Sequence, residues 1–207
     1  MALKAPTWRT EKAFWREGHL RVAGVDEVGR GPLAGPVVAG AVVLPQSRAK
    51  WVRALRDSKM LTAAAREELA AEIRERADWG IGIVSPQVID QINILRATRL
   101  AMRRAVLALS MQPDALIVDG REVVYCAIEQ RAVIDGDVHC ISVSAASIVA
   151  KVARDALMRD YELTFPGYGF YENKGYATPE HRSALKAIGP STLHRLTWQP
   201  VREAIRQ

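Results

Sequence analysis

The chain has 207 residues, 49% of them hydrophobic and 25% charged, which is enough for one well-buried core and excludes wholesale disorder. A net charge of +6 and a pI of about 9.6 suit a polyanionic partner. Two cysteines, Cys126 and Cys140, are too few for a disulfide framework and lack zinc-ligand spacing, and the longest uncharged stretch, residues 31–47, is too short and too broken by proline to span a bilayer.

The basic excess is at the ends. Residues 1–24 and 151–207 each contribute +3, whereas residues 25–150 balance at fifteen of each sign. Cationic ends around a neutral, acid-bearing middle let a protein attract phosphates while its carboxylates hold metal. The first 20 residues mix Lys4, Arg9, Lys12 and Arg16 with Glu11 and Glu17 and have no apolar core, so a secretory signal is not expected. Trp8, Phe14 and Trp15 predict that this arm docks on the body.

The segment Arg21 to Pro45 predicts two strands, 22–28 and 36–44, joined by a Gly/Pro turn. Asp26 and Glu27 stand directly before the turn Gly29-Arg30-Gly31. Two carboxylates at a buried strand end call for a partner cation, most simply a metal; at an exposed turn they need none. Neighbouring strand residues point to opposite faces, so both acids can aim at one ion only from a bulge or a strand end, which is the expectation here.

Next come a basic loop, Gln46 to Met60, with Arg48, Lys50, Arg53, Arg56 and Lys59, and a helix from about Thr62 to Ala77. Trp79 to Val84 predicts a strand, and Ser85-Pro86 opens a helical region reaching about Ser110. Beyond Pro113, Ala115 to Val118 predicts a buried strand that delivers Asp119 at its carboxyl end, where ligands gather in α/β sheets. A short strand near Arg131 to Ile134 and a turn, Asp135-Gly136-Asp137, follow. The helix predicted from Ile141 to Arg159 carries Ala145, Ala146, Ser147, Ala150 and Ala153, small enough for close packing on the sheet, which would hold Asp137 near the core. Residues 165–181 are aromatic and glycine-rich, either a self-packed loop or a stacking platform, and lead into a helix capped by Thr178-Pro179. Residues 191–207 read as a basic terminal element with no catalytic assignment.

The wording of four blocks, in order, resembles the type 2 ribonuclease H family, and most closely its bacterial ribonuclease HII branch. The blocks include GVDEVGRGPLAGPVV near the amino terminus, Gly136-Asp137 with the Ser-Ala-Ala-Ser helix and its Ala-Lys-Val…Arg-Asp ending, and Lys174-Gly175-Tyr176, all within Val22 to Tyr176. The resemblance implies an α/β fold, a ribonuclease H-like mixed β-sheet flanked by helices, with a small helical C-terminal extension. It implies an arm (residues 1–20), a catalytic domain (21–162) and a substrate-binding extension (163–207). By the same resemblance Asp26, Glu27, Asp119 and Asp137 are the catalytic, metal-binding acids. The backbone of Gly29, Arg30 and Gly31 lies against the ribose whose 2′-hydroxyl is read, and Tyr176 packs on the sugar after the scissile phosphate. Lys59, Arg30 and Lys174 are expected to position phosphates without reading sequence. Glycines suit the ribose role because they let main-chain groups approach a sugar closely.

The implied activity is endonucleolytic hydrolysis of the RNA strand of RNA/DNA hybrids, with nicking 5′ of single ribonucleotides in duplex DNA, leaving 5′-phosphate and 3′-hydroxyl ends. All-oxygen ligation favours two Mg²⁺ or Mn²⁺ ions about 3.5–4 Å apart over zinc. A cytoplasmic monomer without a membrane role is expected, and docking of a sliding clamp on a terminus is left open. The family usually has lysine where this chain has Asp135, which puts a phosphate contact there in doubt. Asp155 has a structural explanation in Lys151, one turn earlier, and His139 is a weak candidate. Ribonuclease HIII would be expected to carry an added amino-terminal domain, a decayed binding protein would lack some of the four acids, and an exonuclease would need free ends.

Overall fold

In the computed structural model, which describes residues 5–205, a five-stranded sheet carries helices on both faces. The strands are β1 (Val22–Val28), β2 (Val37–Val43), β3 (Asp78–Val84), β4 (Ala115–Asp119) and β5 (Glu129–Val133), in the spatial order β3-β2-β1-β4-β5. β1, β2 and β3 pair antiparallel in succession, and β4 and β5 run parallel to β1. This is the expected mixed sheet. The helices are α1 (Arg9–Arg16), α2 (Lys50–Ala54), α3 (Ala63–Arg76), α4 (Pro86–Leu107), α5 (Gly136–His139), α6 (Ile141–Thr164), α7 (Phe170–Asn173), α8 (Pro179–Ile188) and α9 (Gln199–Ile205).

Strand alternation divides the core. Ala23, Val25, Val37 and Ala39 face α4, where Ala97, Ala101, Met102 and Ala105 meet them, while Val42 joins α6 and α3 on the other side through Ala145, Val149, Leu69 and Ile73. The small residues of α6 do bring it close. A Cβ on Gly24 would stand 2.1 Å from the Ser142 carbonyl carbon, and one on Gly40 would stand 2.4 Å from the Ala146 oxygen. Backbone thus lies on backbone where β1 and β2 cross α6.

Two local expectations change, and a third holds in one of its two forms. The helical region after Pro86 contains a break at Asn93 (φ 66°), whose Oδ1 accepts from the Arg96 amide at 3.1 Å and so caps the second half. Apolar periodicity continues across the break and conceals it, and Asn tolerates positive φ better than most residues. The turn at residues 135–137 is a left-handed Asp135 (φ 53°) followed by the single turn of α5. No bulge forms at Asp26 and Glu27, since both sit in an unbroken ladder opposite Gly40 and Ala39 of β2. The strand-end alternative is met on the other side, where pairing with β4 stops at Val25.

The ends of the chain brace the middle. Phe14 of α1 is buried with Val22, Ala115 and Ile117, and Glu11 accepts from the Ser142 amide and hydroxyl at 2.9 and 2.7 Å, at the start of α6. Residues 1–4, Lys4 among them, and 206–207 lie outside the described residues. Phe170, Leu185, Leu193 and Val201 of the C-terminal segment pack on Leu33, Ala34 and Met158, so this segment rests on the loop that follows β1. No helix among the described residues is long and apolar enough to cross a membrane.

Candidate active site

Because β1 and β4 are parallel neighbours, their carboxyl ends open at the same edge of the sheet, carrying Asp26 and Glu27 on one strand and Asp119 on the other. One carboxylate oxygen from each of these three acids lies within 4.8 Å of the other two. Asp26 is 5% exposed and faces the α6 side, while Glu27 and Asp119 are half-buried. Asp119 Oδ1 accepts from the Gly136 amide at 2.6 Å, which ties α5, and with it Asp137, to the end of β4. Asp137 is buried, and its Oδ2 lies 3.6 Å from Lys59 Nζ. It stands outside the close group of three but within electrostatic reach of Asp119.

All four carboxyls are held above the usual range. Burial is the main cause for each; Glu27 and Asp119 add to it at Asp26, and Asp119 adds to it at Asp137. Two protein cations answer them in part. Arg30 Nη1 sits 3.2 Å from Glu27, and Lys59, 81% exposed, faces Asp137. Partial burial works against the Lys59 charge, but Asp137, Asp57 and Asp26 outweigh it and raise that ammonium. A buried all-oxygen donor set whose members disfavour one another's charge fits hard divalent cations, which would relieve both burial and repulsion.

The remaining candidates lie on the loop after β1 and on the segment bonded to it, where the Leu33 amide donates to the Gly175 carbonyl at 2.8 Å. Gly29 is buried, and Arg30 and Gly31 are exposed on the loop between β1 and β2. Lys174 is left-handed (φ 50°), with its ammonium bonded to the Tyr171 carbonyl, and burial lowers its pKa. Tyr176 is 43% exposed, and the Arg154 guanidinium lies 5.9 Å from its ring centroid. Asp135 is exposed, and Asp155 pairs with Lys151 at 2.7 Å, the structural role expected of it. His139 is exposed and joins no potential ligand group among the described residues. A second such group, Glu17, His19 and Glu129, already has a cation, because Arg131 lies 3.7 Å from Glu17. A cleft of about 850 Å³ between α2 and α3 contains none of the four acids.

Sequence reasoning passed over a buried pair. His181 Nε2 and His194 Nε2 lie 3.0 Å apart. The partners at each end set the tautomers: the Ser191 amide donates to His194 Nδ1 at 3.0 Å, and His181 Nδ1 must donate to the Tyr176 carbonyl at 2.8 Å. His194 Nε2–H therefore donates to His181, and a directional chain ends on the backbone of Tyr176. Two histidines thirteen positions apart carry no spacing signal that could have revealed this. Burial, then His181, pushes His194 down to about 4 from the ordinary 6.5. Between those two pH values the unfolded chain binds a proton that the folded chain refuses, so stability falls as the solution is acidified through that window, by roughly 2 kcal/mol at pH 5. The stability deficit of His194→Gln in urea unfolding should accordingly be smaller at pH 5 than at pH 7. An equal deficit at both values would mean that the ring titrates normally.

Residues 23–201 match the ribonuclease HII family. Ribonuclease HII of Moorella thermoacetica is 51% identical over 190 residues, covering 91% of each chain. Among solved structures, ribonuclease H2 from Pyrococcus horikoshii OT3 superposes with a TM-score of 0.76 at 28% identity, covering 90% of this chain and 98% of that one. The PCNA:RNase HII complex from Archaeoglobus fulgidus contains a chain that superposes with a TM-score of 0.74 at 29% identity, covering 87% of this chain and 96% of that one.

Proposed function

This chain belongs to the ribonuclease HII family, and from that premise we propose which of its residues carry out the hydrolysis and which read the substrate. It is a metal-dependent ribonuclease H, an endonuclease acting on RNA/DNA substrates, and nicking at single ribonucleotides in duplex DNA is consistent with the family. Asp26, Glu27, Asp119 and Asp137 are the metal-holding acids in this reading. The observation that carries it is the convergence of the first three, from two strand ends, to within 4.8 Å with raised pKa values. Asp137 completes the set from α5, which Asp119 holds by its bond to Gly136.

Two Mg²⁺ or Mn²⁺ ions are the cofactors we assign, because the four candidate ligands offer oxygen and no nitrogen or sulfur. When bound, such ions activate the attacking water and neutralise charge on the phosphoryl group in line with the leaving oxygen. The protein's own part is positional. Buried acids fix where cations collect, Lys59 and Arg30 supply counter-charge at the rim where phosphates pass, and Lys174 and Tyr176 lie along the expected path of the sugar-phosphate chain. Hydrolysis breaks the bond from phosphorus to the 3′-oxygen, leaving a 3′-hydroxyl and a 5′-phosphate.

Within this proposal residues 21–162 form the catalytic body and residues 163–207 the substrate-binding extension, a division supported by the packing of the C-terminal segment on the loop after β1. We assign the chain to the cytoplasm, on the grounds of its nucleic-acid substrate. A sliding clamp is a proposed further partner, supported by the archaeal relative found in complex with PCNA.

The deciding experiment uses an end-blocked duplex containing one ribonucleotide, incubated with Mg²⁺, with Mn²⁺ and with chelator. A metal-dependent nick on the 5′ side of the ribonucleotide, absent from the all-DNA duplex, is expected. A requirement for free ends, or cleavage that persists in chelator, would overturn the reading.

A further inference from the structure

Two arginines are fully buried, Arg154 on α6 and Arg195 after α8, and neither forms an ion pair among the described residues. A buried guanidinium without a carboxylate is costly, so its hydrogen bonds must account for its presence. Arg195 donates Nη1 to the Arg30 carbonyl at 2.7 Å, Nη2 to those of Gly29 and Gly35, and Nε to Gly35 at 3.1 Å. Arg154 donates to the carbonyls of Pro36, Ala34 and Lys174 at 3.0, 3.2 and 2.9 Å. The Arg195 amide bonds the Leu33 carbonyl at 2.8 Å, and the Gly35 amide returns a bond to Leu193 at 2.9 Å. Five carbonyls of the loop between β1 and β2, those of Gly29, Arg30, Ala34, Gly35 and Pro36, therefore accept from two planar cations that come from distant parts of the chain.

The peptide geometry turns this into a statement about the other side. In a trans peptide the carbonyl of one residue and the N–H of the next point in opposite directions. With the Gly29 and Arg30 carbonyls turned in to Arg195, the N–H groups of Arg30 and Gly31 are turned out. Both residues are exposed, and neither amide donates to a protein group among the described residues. The inner face has no room to spare, since a Cβ on Gly29 would meet Arg154 Nε at 2.2 Å, whereas one on Gly31 would meet nothing within 4 Å.

We propose that Arg195 is a positioning residue for substrate discrimination, whose three-carbonyl grip aims the Arg30 and Gly31 amides at the ribose 2′-hydroxyl. The inference rests on the assignment of this loop as the ribose sensor, and adds what makes it a sensor. A free glycine-rich loop would sample many orientations and would lose the entropy of ordering on each encounter. Arg154 extends the brace to Lys174 and lies by the Tyr176 ring, so the two substrate-facing segments share one cationic support. Burial, then the neighbouring Arg154 charge, lowers Arg195 to about 9, which leaves it protonated at neutral pH.

The test compares the unaltered protein with Arg195→Lys and Arg195→Met. Affinity is measured in chelator for a duplex with one ribonucleotide and for the same duplex in all-DNA form, alongside the Mn²⁺-induced shift in melting temperature. The expected result is a loss of about tenfold or more in preference for the ribonucleotide duplex in both variants, with all-DNA affinity and the Mn²⁺ shift retained. Lysine should not rescue, because one ammonium cannot span three carbonyls as a planar fork does. Unchanged preference, an equal loss on both duplexes, full rescue by lysine, or loss of a cooperative urea transition in both variants would each overturn the proposal. If the unaltered protein itself shows no preference, the ribose-sensor assignment fails instead, which keeps the two failures distinct.

Discussion

Asp119→Asn is expected to lower turnover by about 10³-fold or more while leaving duplex affinity within about threefold. The magnitude follows from the proposed role, in which one negative charge is removed from a group that would confront metal and phosphate together and several kcal/mol of transition-state stabilisation are at stake. The substitution is nearly isosteric, and asparagine keeps an oxygen to accept the Gly136 amide now bonded at 2.6 Å, so α5 should stay in place. A second readout separates chemistry from folding. The Asp119 charge is disfavoured by burial, and it adds to the load on Asp26 and Asp137, so the metal-free variant should melt at a higher temperature than the unaltered protein. Single-turnover cleavage, a binding titration in chelator and a thermal melt decide the matter. Turnover within tenfold of normal would remove Asp119 from the metal-holding set.

Gly24→Ala is expected to cost at least about 3 kcal/mol of folding stability, at the upper end of what overpacking does. The new Cβ would stand 2.1 Å from the Ser142 carbonyl carbon and 2.3 Å from the Val143 nitrogen, so β1 and α6 must part. Both atoms are backbone, and no rotamer change relieves the contact. Set against a typical total of about 5–15 kcal/mol, such a loss leaves a marginal protein. Gly31→Ala is the control, because its Cβ would meet nothing within 4 Å and its backbone is not among the positive-φ glycines. Urea titration should show near-neutral stability for that control. A cost below about 1 kcal/mol at Gly24 would mean that α6 can ride away from the sheet.

Several parts of the molecule were legible from local pattern. The strands around Asp26, the strand that ends at Asp119, the helix beginning after Thr62 and the one beginning after Thr178 all lie where apolar period and capping residues put them. Each depends on residues within a turn or two of one another, and that is the range over which hydrophobic period and hydrogen-bond capping act. Close packing of α6 was also readable, because a run of small side chains states directly how near a helix can come. The break at Asn93 and the left-handed Asp135 were not readable, since both are single backbone torsions in sequences that also suit the alternative.

The sequence by itself determined the membership of the family, the four candidate acids and the order of the elements that carry them. Tertiary structure alone decided that Asp26 and Glu27 meet Asp119 from an unbulged strand, because parallel pairing of β1 with β4 brings two strand ends together across more than ninety residues of chain. It alone showed that an arginine in an unassigned basic tail grips the loop 160 residues before it, and that two histidines bond to each other behind Tyr176. The physical reason is common to these cases. A buried donor chooses its acceptor by position and direction in space, and neither quantity is encoded by the identity or spacing of the residues along the chain.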